Sequence, residues 1–238
     1  MELAIIGYGR MGHEIENIAL QRGHSVKLII DVDNASDLSR KNLAGIDAAI
    51  EFSLPTTALN NVLACLNYNT PVVSGTTSWK YDYETIKELC EKNKTSFIHS
   101  SNYSIGVNLL FKLNAELAKQ MNKYNEYAVS ISETHHTKKL DAPSGTAITL
   151  AKGIINAHEK YSSWHKGNVI ESGSIPVESF REGEVPGIHT IKWDSDVDSI
   201  SLTHNSKSRK GLALGAVVAA EFIAKRVGVF TMDDVMGF

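Results

Sequence analysis

A glycine-rich turn close to the start of the chain constrains the fold more than any other feature of the sequence. Residues 3–6 are apolar, and Gly7, Gly9 and Gly12 follow them in the pattern Gly-x-Gly-x-x-Gly. Apolar residues then recur at helical spacing as far as Gly23, where a glycine can end a helix. The order strand, glycine turn, helix is typical of a dinucleotide-binding unit. Its glycines permit a tight turn, a close approach of backbone to a pyrophosphate, and packing of the helix on the strand.

The next strand supports this interpretation of a motif that is weak when taken alone. Residues 26–30 are apolar and Asp31 follows them, near the spacing expected for a carboxylate that binds the ribose of a nucleotide. Asp31 can accept hydrogen bonds from both ribose hydroxyls, whereas it would repel a 2′-phosphate. Arg10, Arg40 and Lys41 can relieve that repulsion. We therefore predict NADH and/or NADPH as the cofactor, with NADH favoured.

The first part of the chain continues to alternate apolar runs with helical patterns. Residues 48–52, 71–74 and 96–98 form short runs, and each precedes a polar loop. Strands that alternate with helices predict a Rossmann-like, doubly wound parallel sheet of the α/β class, with functional loops at the carboxyl ends of its strands.

The pattern changes at Gly106, where a long amphipathic helix begins. An alternating strand at residues 129–134 and a helix over residues 145–159 follow it. Strand-like stretches without intervening helices come next, at residues 169–181, 189–194 and 199–204. This order predicts a second, α+β domain with a mixed or antiparallel open sheet that helices cover on one face.

The last predicted helix, residues 210–226, is apolar enough to pack on the first sheet. We therefore predict that the chain returns to its starting domain. Residues 1–105 and 209–238 would form the dinucleotide-binding domain, and residues 106–208 the substrate-binding and oligomerisation domain.

Composition excludes several classes of function. The 238 residues are 42% hydrophobic and 21% charged, with a formal net charge of −3, which offers no bulk attraction to nucleic acid or anionic membranes. Cys65 and Cys90 lie in segments with helical patterns, and no Cys or His spacing typical of a metal site occurs. No apolar run reaches the roughly 20 residues that span a bilayer. We predict a cytoplasmic enzyme that acts on a small molecule, without a metal, nucleic-acid or membrane partner.

Residues 133–147 are the strongest candidate for a catalytic segment. His135 and His136 are adjacent, Lys139 follows closely, and a Pro-Ser-Gly-Thr turn opens a helix pattern. A helix start of this kind presents free backbone N–H groups at the positive end of the helix dipole, which suits a small anion. We interpret the adjacent histidines as loop residues that face the same ligand.

The same segment resembles the signature of the dihydrodipicolinate reductase family, also called 4-hydroxy-tetrahydrodipicolinate reductase. The resembling pattern is Glu-x-His-His-x-x-Lys-x-Asp-Ala-Pro-Ser-Gly-Thr-Ala, and it spans residues 133–147. Further matches fall in the family's order along nearly the whole chain. They are residues 7–12, 52–55, 75–77, 101–108, 181–183, 189–190, 208–209 and 215–216.

The resemblance implies reduction of dihydrodipicolinate, a small dicarboxylate, to tetrahydrodipicolinate by hydride from NAD(P)H in the diaminopimelate route to lysine, and a homotetrameric assembly. It implies that His135 supplies the proton and that Lys139 completes the acid-base and charge-stabilising pair, since a histidine can donate a proton near neutral pH. The substrate carboxylates would contact His136, Ser144, Gly145 and Thr146. The cofactor would contact Gly7, Gly9, Arg10, Met11, Gly12, Asp31, Gly75, Thr77, Ser101, Asn102, Tyr103 and Arg209.

Two alternatives remain open from the residues themselves. Another nicotinamide-dependent enzyme of amino-acid metabolism, such as an aspartate or homoserine dehydrogenase, has a related first domain but does not need the His-His-x-x-Lys segment. A non-catalytic protein that senses NAD(H) would need no proton donor at all.

Overall fold

Strands and helices alternate from the start of the chain to residue 105, as predicted. The computed structural model describes residues 1–238, which divide into two units, Met1–Ile105 with Arg209–Phe238, and Gly106–Ser208. The first unit contains six strands: β1 (Glu2–Ile6), β2 (Ser25–Ile30), β3 (Ala48–Glu51), β4 (Val72–Ser74), β5 (Ser96–His99) and β11 (Gly228–Phe230). Its helices are α1 (Arg10–Gln21), α2 (Arg40–Leu43), α3 (Pro55–Asn67), α4 (Tyr83–Asn93), α7 (Lys210–Ile223) and α8 (Met232–Met236).

The first sheet is parallel throughout, in the order β11-β5-β4-β3-β1-β2. Helices cover both faces of this sheet. Successive residues of a strand point to opposite faces, so each strand contributes to two cores. Leu3 and Ile5 pack with residues of α1 and α7, whereas Ala4 and Ile6 pack with residues of α3 and α4. The strand order reverses between β1 and β3, and such a switch point is where open α/β sheets bind ligands.

The second unit has five strands: β6 (Ala128–His135), β7 (Ser163–Lys166), β8 (Ser174–Arg181), β9 (Gly187–Asp194) and β10 (Ser199–Ser206). They form a mixed sheet in the order β10-β9-β6-β8-β7, in which β6 runs parallel to β8 and antiparallel to β9. Residues of helices α5 (Ile105–Met121) and α6 (Gly145–Ala157) pack on one face around the buried Trp193. The predicted fold class is therefore confirmed.

Local predictions were wrong at two places. The strand predicted over residues 169–181 begins only at Ser174, because Gly167 and Gly173 have φ values of 129° and 74° and the chain turns between them. A separate strand, β7, precedes that turn. The last long helix ends at Ile223, and the short β11 and α8 follow it. β11 is only three residues long and forms by pairing with β5, so local pattern could not indicate it.

None of the eight helices combines the length and the apolar character that a bilayer-spanning segment requires.

Candidate active site

The glycine turn joins the end of β1 to the start of α1. Gly7 has φ of +90°, and a Cβ atom there would lie 2.1 Å from the carbonyl oxygen of Phe52. A Cβ on Gly12 would lie 2.4 Å from the oxygen of Gly7, so no larger residue fits between helix and turn. The space beside Gly9 is open. These three positions match the needs of a pyrophosphate-binding turn: a bend, a close helix and an accessible backbone.

The start of α1 is suited to a phosphate. Gly9 is the N-cap residue and supplies no side-chain hydrogen bond, so the first N–H groups of the helix, beginning at Arg10 and Met11, lack the usual cap. A helix N-terminus in this state favours an anion. Arg10 and Met11 line a cavity of about 370 Å³ together with Gly75 and Thr77, so the structure brings these predicted cofactor residues together.

A second cavity, of about 290 Å³, lies at the switch point between β1 and β3. Gly7, Tyr8, Asp31, Phe52 and Ser53 are among the residues that line it. Asp31 is exposed, and one of its carboxylate oxygens accepts a hydrogen bond of 2.9 Å from the N–H of Val32. This carboxylate lines the cavity, where it can accept from a ligand such as a ribose hydroxyl.

The loop after β5 is less uniform than predicted. Ser101 is exposed and Asn102 is half-buried, but the Tyr103 side chain is 1% exposed. Its hydroxyl donates to the carbonyl oxygens of Ser74, at 2.8 Å, and Ile98, at 3.2 Å. Tyr103 therefore has only its backbone left for a cofactor contact. Arg209 is exposed at the N-cap of α7.

In the second unit, the two adjacent histidines do not share one environment. His135 is the last residue of β6 and is buried, whereas His136 follows the strand and is half-buried. The interpretation of both as loop residues is therefore wrong for His135. The carbonyl of His135 accepts a hydrogen bond from Glu182 N–H at 2.8 Å, so strand geometry continues to this residue and separates the two side chains.

Glu133 is the centre of a buried polar cluster. Its side chain is 1% exposed, and both carboxylate oxygens accept a hydrogen bond from Ser144 N–H at 3.0 Å. Ser179 donates from its hydroxyl at 2.8 Å, and the Arg181 guanidinium lies 3.8 Å away. Burial alone would raise the pKa of Glu133, but the hydrogen bonds from Ser144 and Ser179 reverse this effect, and the pKa lies below its usual value.

Two imidazoles flank this carboxylate. Nδ1 of His135 and Nε2 of His189 each lie 3.7 Å from a Glu133 oxygen. Burial lowers the pKa of His135, and Glu133 opposes that effect only in part. Burial also lowers the pKa of His189 to about 4, and the neighbouring His135 adds to the shift. Both rings are therefore neutral in most molecules at pH 7.

His189 has a place in the cluster that the sequence analysis did not assign to it. The pairing of β6 with β9 puts it opposite Glu133, and its Nε2 lies 3.2 Å from the Ser144 hydroxyl. The alternation of buried and half-buried residues along β9 indicates that the side chain faces the core. Only the strand register identifies its partner.

Arg181 is a second residue to which no role was assigned. Its guanidinium donates to the carbonyl oxygens of Lys139, at 3.2 Å, and Asp141, at 2.7 Å. It therefore fixes the backbone of the segment that carries Lys139. The Lys139 ammonium in turn contacts both oxygens of Asp141, at 2.7 and 2.9 Å, and this contact lowers the pKa of Asp141.

The start of α6 presents the anion site that was predicted, with one change. Ser144 caps the helix by accepting from Ala147 N–H at 3.3 Å, while its own N–H is donated to Glu133. The N–H groups of Gly145 and Thr146 have no partner in the chain, and the space beside Gly145 is open. These two groups are the ones free to bind a carboxylate.

Glu133, His135 and His189 also place one ligand atom each within 4.8 Å of one another, as a metal site would. However, the Glu133 oxygens already accept hydrogen bonds from Ser144 and Ser179. A carboxylate satisfied in this way has little capacity left for a metal ion, and the cluster fits a proton-handling role better.

The chain matches known family models and proteins along nearly its whole length. It matches "Dihydrodipicolinate reductase, N-terminus" over residues 1–103 and "Dihydrodipicolinate reductase, C-terminus" over residues 106–236. It is 46% identical to the 4-hydroxy-tetrahydrodipicolinate reductase of Christiangramia forsetii, over 99% of this chain and 98% of that protein. It is 30% identical to the enzyme of the same name from Lawsonia intracellularis, over 99% of this chain and 100% of that protein.

Among solved structures, the fold is similar to that of a dipicolinate-bound dihydrodipicolinate reductase from Paenisporosarcina sp. TG-14. The TM-score is 0.77 at 23% identity, over 97% of each chain. It is also similar to a WlbA dehydrogenase from Thermus thermophilus, with a TM-score of 0.55 at 9% identity, over 99% of this chain and 91% of that one. These two likenesses concern the fold alone.

The parallel sheet with its glycine turn, together with the family matches, defines an NAD(P)-dependent oxidoreductase of the Rossmann class. The chain belongs to the dihydrodipicolinate reductase family. The predicted resemblance is thus confirmed, and the aspartate or homoserine dehydrogenase alternative and the NAD(H)-sensing alternative are set aside.

Proposed function

We propose that this protein reduces 4-hydroxy-tetrahydrodipicolinate to tetrahydrodipicolinate with NAD(P)H, in the diaminopimelate route to lysine. The observation that carries this proposal is that one chain of this family has both a nucleotide-binding site and an anion-binding site with buried histidines. An uncapped helix start and open cavities lie at the switch point of a dinucleotide-binding sheet. A buried His-Glu-His cluster lies beside a helix start with two free N–H groups.

The first unit is proposed to bind the cofactor, which supplies hydride from C4 of its nicotinamide ring when bound. The N–H groups at the start of α1 would bind the pyrophosphate, and Asp31 the adenosine ribose. Gly75 and Thr77 would contact the nicotinamide end, together with Ser101, Asn102, the backbone of Tyr103, and Arg209.

We further propose that NADH is preferred to NADPH. None of the residues that line the cavity beside Asp31 is Lys or Arg. Arg40, which could have offset the charge of a 2′-phosphate, donates to the carbonyl oxygen of Asn67 at 2.8 Å and lies 5.2 Å from the ring centre of Tyr68. A 2′-phosphate would therefore meet Asp31 with little compensation.

The second unit is proposed to bind the two substrate carboxylates. The N–H groups of Gly145 and Thr146 would donate to one of them, and His136 and the Ser144 hydroxyl would contribute further hydrogen bonds. Reduction also needs Lys139, whose ammonium would leave Asp141 for the more negative dicarboxylate. In a site from which water is excluded, an ammonium beside developing negative charge is worth more than in water.

Addition of hydride to the substrate ring leaves carbanion or enamine character on a neighbouring carbon, which must receive a proton. We propose His135 as the donor, with Lys139 as its partner. The low pKa of His135 in the free chain is set by burial, and a bound dicarboxylate would raise it, since nearby negative charge favours the imidazolium. His135 would thus carry a proton to donate in a larger fraction of molecules when substrate is bound.

We also propose a cytoplasmic homotetramer. In the second unit the helices cover one sheet face, and the other face bears half-buried and exposed side chains of β6, β9 and β10. Phe180, which lies beside Thr134 on that open face, is 46% exposed, so this face retains apolar surface that association can bury. Sedimentation of the purified protein tests the assembly.

The activity is tested by following the loss of NADH absorbance after addition of freshly generated 4-hydroxy-tetrahydrodipicolinate. We expect turnover that depends on this substrate, and a higher kcat/KM with NADH than with NADPH. NADH binding without turnover would contradict the proposed reaction. Turnover with a strong preference for NADPH would contradict only the proposed cofactor choice.

A further inference from the structure

Glu51, at the carboxyl end of β3, carries a buried carboxylate that the mechanism above does not use. Its side chain is fully buried, and no Lys, Arg or His forms an ion pair with it. A carboxylate is costly to remove from water unless hydrogen bonds replace its hydration. The groups that donate to Glu51 therefore explain why it is tolerated in the core.

These donors come from two separate loops. From the loop after β3, Ser53 donates its N–H at 2.9 Å and also forms a short hydrogen bond through its hydroxyl. From the end of β4 and the loop after it, Ser74 donates at 2.5 Å and Thr76 at 2.7 Å. The parallel register places Ser74 directly beside Glu51, so the contact follows from the sheet itself.

The same two loops line the cavities assigned to the cofactor, one loop lining both cavities and the other loop one of them. Phe52 and Ser53 line the two of them, and Gly75, Thr76 and Thr77 line the second. The loops also fit against each other without spare room, since a Cβ on Gly75 would lie 2.1 Å from the Phe52 ring. A small change in the position of either loop would alter the shape of the cofactor site.

We infer that Glu51 is a positioning residue that holds these two loops in the conformation that binds the nicotinamide dinucleotide. This inference rests on the proposed function of the first unit. A glutamine at this position would have one acceptor oxygen and one NH₂ group in place of two acceptor oxygens. The hydroxyl that meets the NH₂ group must then accept instead of donate, and the hydrogen bonds to both loops lose the strengthening that a charged acceptor provides, so the loops would be held less firmly.

The test compares Glu51→Gln with Glu51→Asp and with a matched carboxylate-to-amide control, Glu221→Gln. Glu221 contacts Arg22 and His24 at 2.7 Å, far in sequence from both loops. For each protein, Kd for NADH is measured by nucleotide fluorescence, the unfolding midpoint by calorimetry, and kcat at saturating NADH.

We expect Glu51→Gln to raise Kd for NADH about tenfold, which corresponds to about 1.4 kcal/mol. We expect kcat at saturating NADH to change by less than about twofold, since bound cofactor restores the loops. Glu51→Asp keeps both acceptor oxygens and should recover much of the affinity. The control should lower the unfolding midpoint but leave Kd unchanged.

An unfolding midpoint lowered by Glu51→Gln, with Kd for NADH unchanged, would overturn the inference and leave Glu51 a structural residue of the sheet. If Glu51→Gln does not fold, Ser74→Ala decides in its place, because it removes one donor only. A raised Kd then supports the inference and an unchanged Kd overturns it. Failure of the unaltered protein to bind NADH would instead overturn the proposed function, and this inference with it.

Discussion

The carboxylate of Glu133 lies 3.7 Å from Nδ1 of His135, and both side chains are buried. This Nδ1 atom has no hydrogen-bond partner in the chain. When His135 carries a proton, Glu133 is the nearest negative charge that can stabilise the imidazolium. Glu133 therefore helps to set the pKa of His135, the proposed proton donor.

Replacing Glu133 by glutamine should reduce the fraction of His135 that carries a proton to donate at neutral pH. Glu133 raises the pKa of His135 against the effects of burial, Lys139 and Arg181, so its loss lowers that pKa further. A pKa lowered by one reduces the protonated fraction at pH 7 about tenfold. The fall in kcat with rising pH should then begin at lower pH. The control is Glu178→Gln, because Glu178 lies in the neighbouring strand β8 and points to the opposite face of the sheet from Glu133. An unchanged pH profile of kcat in Glu133→Gln would contradict the prediction.

Replacing Lys139 by alanine should lower kcat by about 100-fold or more, because proton-transfer and charge-stabilising groups contribute effects of this size. Kd for NADH should not change, since Lys139 lies in the second unit. Lys138 is its matched control: it is adjacent, exposed and equally charged, and Lys138→Ala should retain kcat within about twofold. Equal losses in both variants would mean that only local charge matters. Loss of NADH binding in Lys139→Ala would mean that the site has been misplaced.

Replacing Asp31 by asparagine should move cofactor preference toward NADPH. Asparagine keeps an oxygen to accept from Val32 N–H but removes the charge that repels a 2′-phosphate. We expect the ratio of kcat/KM for NADH to that for NADPH to fall about tenfold, equivalent to about 1.4 kcal/mol. Asp37→Asn, at the end of the 3₁₀ helix Val32–Asp37 that follows Asp31, should leave the ratio unchanged. A ratio that is equal in the wild type and Asp31→Asn would remove Asp31 from ribose recognition.

Two glycines of α7 should respond in opposite ways to alanine. A Cβ on Gly215 would lie 1.7 Å from the carbonyl oxygen of Tyr103, so backbone must move and the free energy of unfolding should fall by about 2 kcal/mol or more. A Cβ on Gly211 would lie 3.7 Å from the Ser104 hydroxyl, an ordinary contact. Gly211→Ala should therefore leave stability unchanged or raise it by up to about 1 kcal/mol, as alanine favours a helix. Thermal unfolding of the two variants tests the contrast, and similar midpoints would refute it.

Acid should destabilise the protein partly through His189. Its pKa is about 4 in the folded chain and near 6.5 in an unfolded one, so the unfolded state takes up this proton first. The corresponding stability is present above pH 6.5 and is lost as the pH falls toward 4, by at most about 3 kcal/mol. The unfolding midpoint of His189→Gln should therefore fall less than that of the wild type between pH 7 and pH 5. The control is His13→Gln, because His13 is exposed. If the unfolding midpoints of His189→Gln and wild type fell in parallel between pH 7 and pH 5, the role given to His189 would be contradicted.

Most of the candidate site could be located from the sequence, but several residues that contact its side chains could not. The glycine turn, Asp31 and the segment that carries Lys139 each depend on residues close together in the chain, and patterns of spacing detect such groups. His189, Arg181 and Glu51 escaped because most of their partners lie far away in the sequence, on other strands and loops. Ser101 and Tyr103 were both predicted to contact the cofactor. Ser101 is exposed and Tyr103 is buried, because burial depends on what packs against the loop.

The sequence by itself determined most of the strands and helices, where helices start at glycine or serine, and which family the chain joins. These properties follow from local periodicity, backbone freedom and capping, which act within a few residues. Only the tertiary structure decided that Glu133 lies between two imidazoles, that Ser144 donates its N–H to it, and that Glu51 joins two loops. These contacts depend on strand register and on burial, since hydrogen bonds in a dry interior form only where pairing brings distant residues together.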